Sequence, residues 1–142
     1  MENINEILLK NGWQMRAEKL NINFENIEKN IGFKIPEDFK KYASIFYGNE
    51  NFIGNEYVIL WDAENELIEN NFEYEILNNL NNVFAIGGNG GGEFIAIQNL
   101  NDGNVRIILC PFVPMEENYF IEIGNSFSDF LIRLNNGKEW FD

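Results

Sequence analysis

Three kinds of residue in this chain have types and spacings that could support chemistry: paired glutamates, a run of glycines and a single cysteine. The pairs Glu64/Glu66 and Glu73/Glu75 suggest general acid–base work or a metal site. Both pairs fall in a stretch with helical periodicity, where residues two apart do not face each other. The chain has no histidine and one cysteine, so the usual transition-metal ligands are missing. The pairs therefore read as a solvated face, and no catalytic residue, metal or cofactor is expected. Cys110 ends the apolar run Ile107-Ile108-Leu109-Cys110 and has no partner for an intramolecular disulfide. It reads as a small buried hydrophobe.

The glycines form the least ordinary stretch, Ile86-Gly87-Gly88-Asn89-Gly90-Gly91-Gly92-Glu93-Phe94-Ile95-Ala96-Ile97. A phosphate-cradling loop needs a strand before the glycines and a helix after them, so that backbone N–H groups face the anion. The residues after Gly92 are β-branched and aromatic, which predicts a strand. The third glycine of G-x-G-x-x-G is also missing. Gly87, Gly88, Gly90, Gly91 and Gly92 are thus expected to be a structural hinge between two strands, supplying positive φ and close backbone approach. Glu93 reads either as surface decoration or as a carboxylate that hydrogen-bonds the glycine N–H groups and holds the hinge shut; the second is favoured.

Charge narrows the partner class. With 23 acids against 10 bases the net charge is −13, which argues against nucleic acid, whose phosphates call for lysine and arginine. Between Lys41 and Arg106 there is no cation, while ten acids fall in that interval. Solubility alone accounts for an acidic surface, but lysine is used freely before and after the interval. A face for a basic partner is the alternative. No apolar run approaches the ~20 residues of a membrane span, and no basic segment followed by an apolar one opens the chain. No membrane association is expected, and the cytoplasm is the expected location.

These residues must be positioned by a fold. At 142 residues, 45% hydrophobic and with thirteen phenylalanines, the chain suits one domain, 1–142, with a core that needs no disulfide or metal. Asn3 and Glu6 suit the start of a helix that carries Ile4, Ile7 and Leu8 and stops at Gly12. Residues 13–21 read as a connection. Phe24, Ile27 and Ile31 mark a second helix ending at Gly32. A third begins with Pro36 at its first position, carries Phe39, Tyr42, Ala43 and Phe46 on one face, and closes at Gly48. Residues 49–55 read as a loop, and 57–61 as a strand covered on both faces or a turn into the core.

Asp62 is placed to cap a helix over 63–69 with Leu67 and Ile68 inward and glutamates outward. Phe72, Ile76, Leu77 and Leu80 continue the helical period unless Asn70-Asn71 interrupts it. Asp102-Gly103 predicts a hairpin turn before a further strand at 105–109, so that the hinge strands and this one form a meander. Pro111 and Pro114 frame Phe112-Val113, a segment suited to a sheet edge. Ser126 and Asp129 open a final helix carrying Phe127, Phe130, Leu131 and Leu134, ended by Gly137. The fold class is α+β: N-terminal helices, a central antiparallel meander with a glycine-rich hairpin, and a C-terminal covering helix.

The order of these pieces resembles a known family. Ile35-Pro36-Glu37-Asp38-Phe39-Lys40-Lys41-Tyr42 after a helix ending in Ile31-Gly32, the glycine hairpin at 86–97, a proline-marked stretch, and Asn125-Ser126-Phe127-Ser128-Asp129-Phe130-Leu131 are similar to the SUKH superfamily of SMI1/KNR4 domains. The resemblance spans 24–134. Members usually carry serine or aspartate in the hinge where this chain has Gly88-Asn89, and asparagine tolerates the same backbone conformations.

The resemblance implies a non-enzymatic α+β protein-binding domain. Bacterial members are mostly immunity proteins that neutralise toxins, often nucleases, by direct binding; fungal relatives are linked to control of cell-wall synthesis. A basic toxin domain is the partner it suggests, and Asp62, Glu64, Glu66, Glu69, Glu73 and Glu75 are the residues expected to meet it. A regulatory scaffold and a small-ligand domain with a pocket under the glycine hinge are the alternatives.

Overall fold

The computed structural model describes residues 3–141. Helices α1 (Ile4–Lys10) and α2 (Phe24–Ile31) each start at an asparagine cap: Asn3 Oδ1 accepts from the Asn5 amide at 2.8 Å and Asn23 Oδ1 from the Asn26 amide at 3.1 Å. Such caps satisfy amides that have no partner inside the first turn. Helix α3 (Glu37–Ile45) differs from expectation at both ends. Pro36 is its extended cap residue and not its first helical one, and the helix stops before Phe46. Gly48 serves close approach instead, since a Cβ there would lie 2.3 Å from the Asp62 amide nitrogen.

Residues 49–55, expected as a loop, form strand β1 (Asn49–Ile53) and the turn to β2 (Glu56–Leu60). Asparagine-rich composition hides this edge strand, whose Asn49 and Asn51 side chains donate to the Gly12 and Asn11 carbonyls at 3.0 and 2.9 Å. The apolar run in β2 is not covered on both faces. Val58 and Leu60 are buried, whereas Tyr57 and Ile59 are half-buried.

After Asp62, residues 63–66 are turns, and helix α4 (Leu67–Glu73) begins later than predicted. The period breaks at Tyr74-Glu75, not at Asn70-Asn71: Glu75 adopts φ 56° before the short helix α5 (Ile76–Asn79). Asn71 is buried and ties α4 to the sheet, donating to the Leu67 and Ala85 carbonyls at 2.8 Å each and accepting from the Ala85 amide at 2.9 Å. Phe72, expected on the inner face, is 61% exposed.

Strands β3 (Val83–Gly88), β4 (Glu93–Asn99), β5 (Val105–Pro111) and β6 (Ile121–Gly124) complete a six-stranded antiparallel sheet in the order β1 to β6. Val113, read as part of an edge element, is 89% exposed and outside any strand; the edge beside β5 is β6. Alternate residues of the central strands feed two cores. Ile86, Ile95, Ile97, Ile107 and Leu109 face a main core built with α1, α3 and the last helix, α6 (Phe127–Asn135). Ala85, Phe94, Ala96, Ile108 and Cys110 face a second, smaller core closed by Ile76, Leu80 and Phe112. Helix α6 is capped as predicted: Ser126 Oγ accepts from the Asp129 amide and Asp129 Oδ2 from the Asn125 amide, both at 2.9 Å. Phe127 meets Phe39 of α3 edge-on, ring centroids 5.2 Å apart. The architecture is α+β with a meander sheet.

Candidate functional site: an acidic side and an aromatic sheet face

Sheet order equals chain order, so neighbours in sequence stay neighbours in space. The cation-free interval 42–105 is thus carried by β1 to β4 with α4 and α5, and the segments before it reach it at defined points: the end of α1 at β1, and Arg16 at Asp62.

Within that interval the predicted carboxylates separate into two kinds. Glu64, Glu66, Glu69, Glu73 and Glu75 are exposed. Asp62 is only 16% exposed at its side chain, and its oxygens are occupied. Oδ1 accepts from Arg16 Nη2 at 3.1 Å and from the Gly48 amide at 2.8 Å, and Oδ2 accepts from the Glu64 amide at 3.0 Å. Its own amide donates to Glu66 Oε1 at 2.9 Å, so Asp62 braces the turn before α4 and does not make the helix cap predicted for it; the residue at the cap is Glu66. Arg16 is 4% exposed and also lies over the Tyr47 ring, 4.9 Å from its centroid. Asp62 thus joins the segment after α1, the end of α3 and the entry to α4. Spacing in sequence gives no sign of this, because Arg16 lies 46 residues away.

The glycine hinge is a strand–turn–strand. A Cβ on Gly87 would fall 1.8 Å from the Ile59 carbonyl oxygen, so β2 and β3 can approach only with glycine there, and the register of β3 on β4 shifts between Ala85 and Gly87. A Cβ on Gly88 would lie 3.0 Å from the Glu93 carbonyl oxygen. Gly90 and Gly92 take φ of 76° and 101°. Gly91 donates its amide not to Glu93 but to Asn89 Oδ1, at 2.9 Å. Glu93 Oε1 accepts from Asn89 Nδ2 at 2.8 Å, so the carboxylate acts on the glycines through Asn89.

A row of aromatic side chains on the second face of the sheet carried no functional assignment in the sequence. Phe52 meets Tyr57 across β1 and β2 with centroids 5.3 Å apart, and Gly90 sits over the rim of Tyr57 and Ile59. Trp61 stacks on Tyr74 at 6.1 Å, Tyr74 meets Phe112 at 4.9 Å, and Phe112 reaches the buried Phe94 at 5.2 Å. The signal was present as the alternation Tyr57, Ile59, Trp61, masked by the apolar residues between them. Partial burial and the charge and hydrogen bond of Glu50 raise the Tyr57 phenol above its ordinary value.

Other groups bound the chemistry. Burial pushes the Cys110 thiol up to about 11, so it stays protonated at neutral pH. Among the described residues no three His, Cys, Asp or Glu side chains are grouped to hold a metal ion. No helix among them is long and apolar enough to cross a membrane. An apolar cavity of about 170 Å³ lies between α2 and α4, lined by Ile27, Ile31, Ile68 and Phe72 among others, and no residue of the glycine hinge lines it.

A model of the SMI1 / KNR4 family (SUKH-1) matches residues 21–133. No curated protein matches the chain.

Proposed function

The chain belongs to the SMI1/KNR4 family (SUKH-1), and we propose that it is a non-catalytic protein-binding domain of the immunity type, neutralising a basic toxin domain by direct contact. The observation that carries this reading is the row of exposed carboxylates along α4 and its flanking turns, in an interval, 42–105, that contains no lysine or arginine. They are Glu64, Glu66, Glu69, Glu73 and Glu75. A nuclease holds its substrate phosphates with lysine and arginine. An acidic surface competes for the same groups, and opposite potentials speed the encounter. Asp62 belongs to the support of this surface and not to its contact set, because its oxygens already serve Arg16, Gly48 and Glu64.

The test is genetic and biochemical. The product of the neighbouring gene is expressed alone and together with this chain, and growth and co-purification are recorded. Rescue of growth with a stable one-to-one complex is the expected result. A toxic neighbour that is neither bound nor neutralised would remove the immunity reading.

A further inference from the structure

We infer that the aromatic row on the second face of the sheet is the anchoring part of the partner surface, built to take arginine side chains of a basic protein across its rings. This rests on the reading that the partner is a basic protein, and it moves the centre of contact from the outer side of α4 to the sheet face beside the glycine hinge.

Three observations carry it. First, the face is left half open. Helix α5 and the segment after β5 close the second core over β3 to β5, but over β1 and β2 the rings are left half-buried or exposed. Phe52 is 56% and Tyr74 is 46% exposed, although both rings are fixed by neighbours, Tyr57 for one and Trp61 with Phe112 for the other. Rigid, partly exposed aromatic rings supply contact area at small entropy cost, and they dominate binding energy in interfaces.

Second, the surroundings have one sign of charge. Glu73 and Glu75 flank Tyr74 in the chain and are exposed, and Glu50 pairs across from Ile59 beside Tyr57. The elements that form this half of the face, β1, β2, α4 and α5, contain no lysine or arginine, and neither do residues 107–121. The one cation on this side of the sheet's strands, Arg106, sits at the end of β5 away from the hinge and is engaged by Gln98 and Glu122. Rings with carboxylates beside them suit a guanidinium, which stacks by its plane and bonds by its edge; an ammonium does only the second well.

Third, the same charge pattern opposes the other obvious occupant. Two copies meeting through this face would set carboxylates against carboxylates in a chain of net charge −13.

The experiment uses the whole chain, labelled for amide and indole NMR, titrated with hexa-arginine and separately with hexalysine at low and moderate salt. Trp13 and Trp140 are buried, so the Trp61 indole is an internal reporter of the face. Hexa-arginine is expected to bind more tightly than hexalysine and to shift the Trp61 indole and the Phe52, Tyr57 and Tyr74 amides. Phe52→Ala and Tyr74→Ala, each checked for an intact spectrum, are expected to weaken hexa-arginine about two- to five-fold and leave hexalysine unchanged. Equal binding of the two peptides, with shifts confined to Glu64, Glu66 and Glu69, would overturn the aromatic anchor while leaving the acidic-surface reading standing. Absence of binding by either peptide would overturn both. Concentration-dependent shifts of the same residues without peptide would show self-association and also overturn the proposal.

Discussion

Asp62 gathers the Arg16 guanidinium and the Gly48 amide on one carboxylate oxygen, at 3.1 and 2.8 Å. The pair is largely buried, and removing one partner leaves the other charge without compensation. Asp62→Ala is expected to cost about 3–5 kcal/mol of stability, whereas Glu64→Ala, at an exposed position nearby, should fall within about 0.5 kcal/mol of the parent. Urea denaturation of the two variants checks this. Similar midpoints would mean that Asp62 is a surface acid like its neighbours.

The glycine hinge depends on Asn89 more than on Glu93. Asn89 Oδ1 accepts from the amides of Gly91 and Glu93, at 2.9 and 3.3 Å, while the Glu93 carboxylate only steadies the Asn89 side chain. Asn89→Ala should lower stability by about 1–2 kcal/mol and Glu93→Ala by about half of that, with little change in partner binding for Glu93→Ala. Thermal unfolding provides the comparison. Melting temperatures equal to the parent's in both variants would show the hinge to be held by its glycines alone.

Much of this was legible in the sequence because the forces are local. Ser126 and Asp129 sit within one helical turn of the amides they serve, and Phe127, Phe130, Leu131 and Leu134 repeat with the helix, so α6 could be read directly. The hinge glycines announced themselves by composition. Strand β1 was missed because Asn49 and Asn51 owe their place to the Gly12 and Asn11 carbonyls, a tertiary contact that leaves no pattern in a window of residues. Strand β6, four residues long, offers too short a pattern. Asp62 looked like the five glutamates that follow it, and only the return of Arg16 from the start of the chain separates them. The aromatic face needs Tyr74 of one element and Phe112 of another to meet, which is information about packing.

Acid stability has a specific contributor in Glu28. Burial opposes its ionisation, but the hydrogen bonds from Lys40 and the Ile35 amide, each 2.8 Å, and the charges of Lys40 and Lys34 outweigh it and hold the carboxyl below the ordinary glutamate value. A carboxyl with a depressed folded-state pKa stabilises above its unfolded value, and the contribution fades as pH falls through the folded one. Lys40 is shifted upward, chiefly by its hydrogen bond to Glu28, so its own contribution is complete below the ordinary lysine value and is lost only in strong alkali. Glu28→Gln should therefore be less stable than the parent at pH 7, and the gap should close below the ordinary glutamate range. A gap that stays constant from pH 7 to pH 3 would assign the loss to packing.

The central proposal is that the exposed carboxylates of residues 64–75 draw in and hold a basic protein. Its most direct measurement is the stopped-flow association rate with the basic partner identified by the co-expression test, across a salt series, for the parent and for Glu64→Lys/Glu69→Lys/Glu73→Lys. The parent rate should be high and fall steeply with salt, and the triple variant should associate at least about ten-fold more slowly with a much weaker salt dependence. Equal rates and equal salt slopes for the two proteins would contradict the claim.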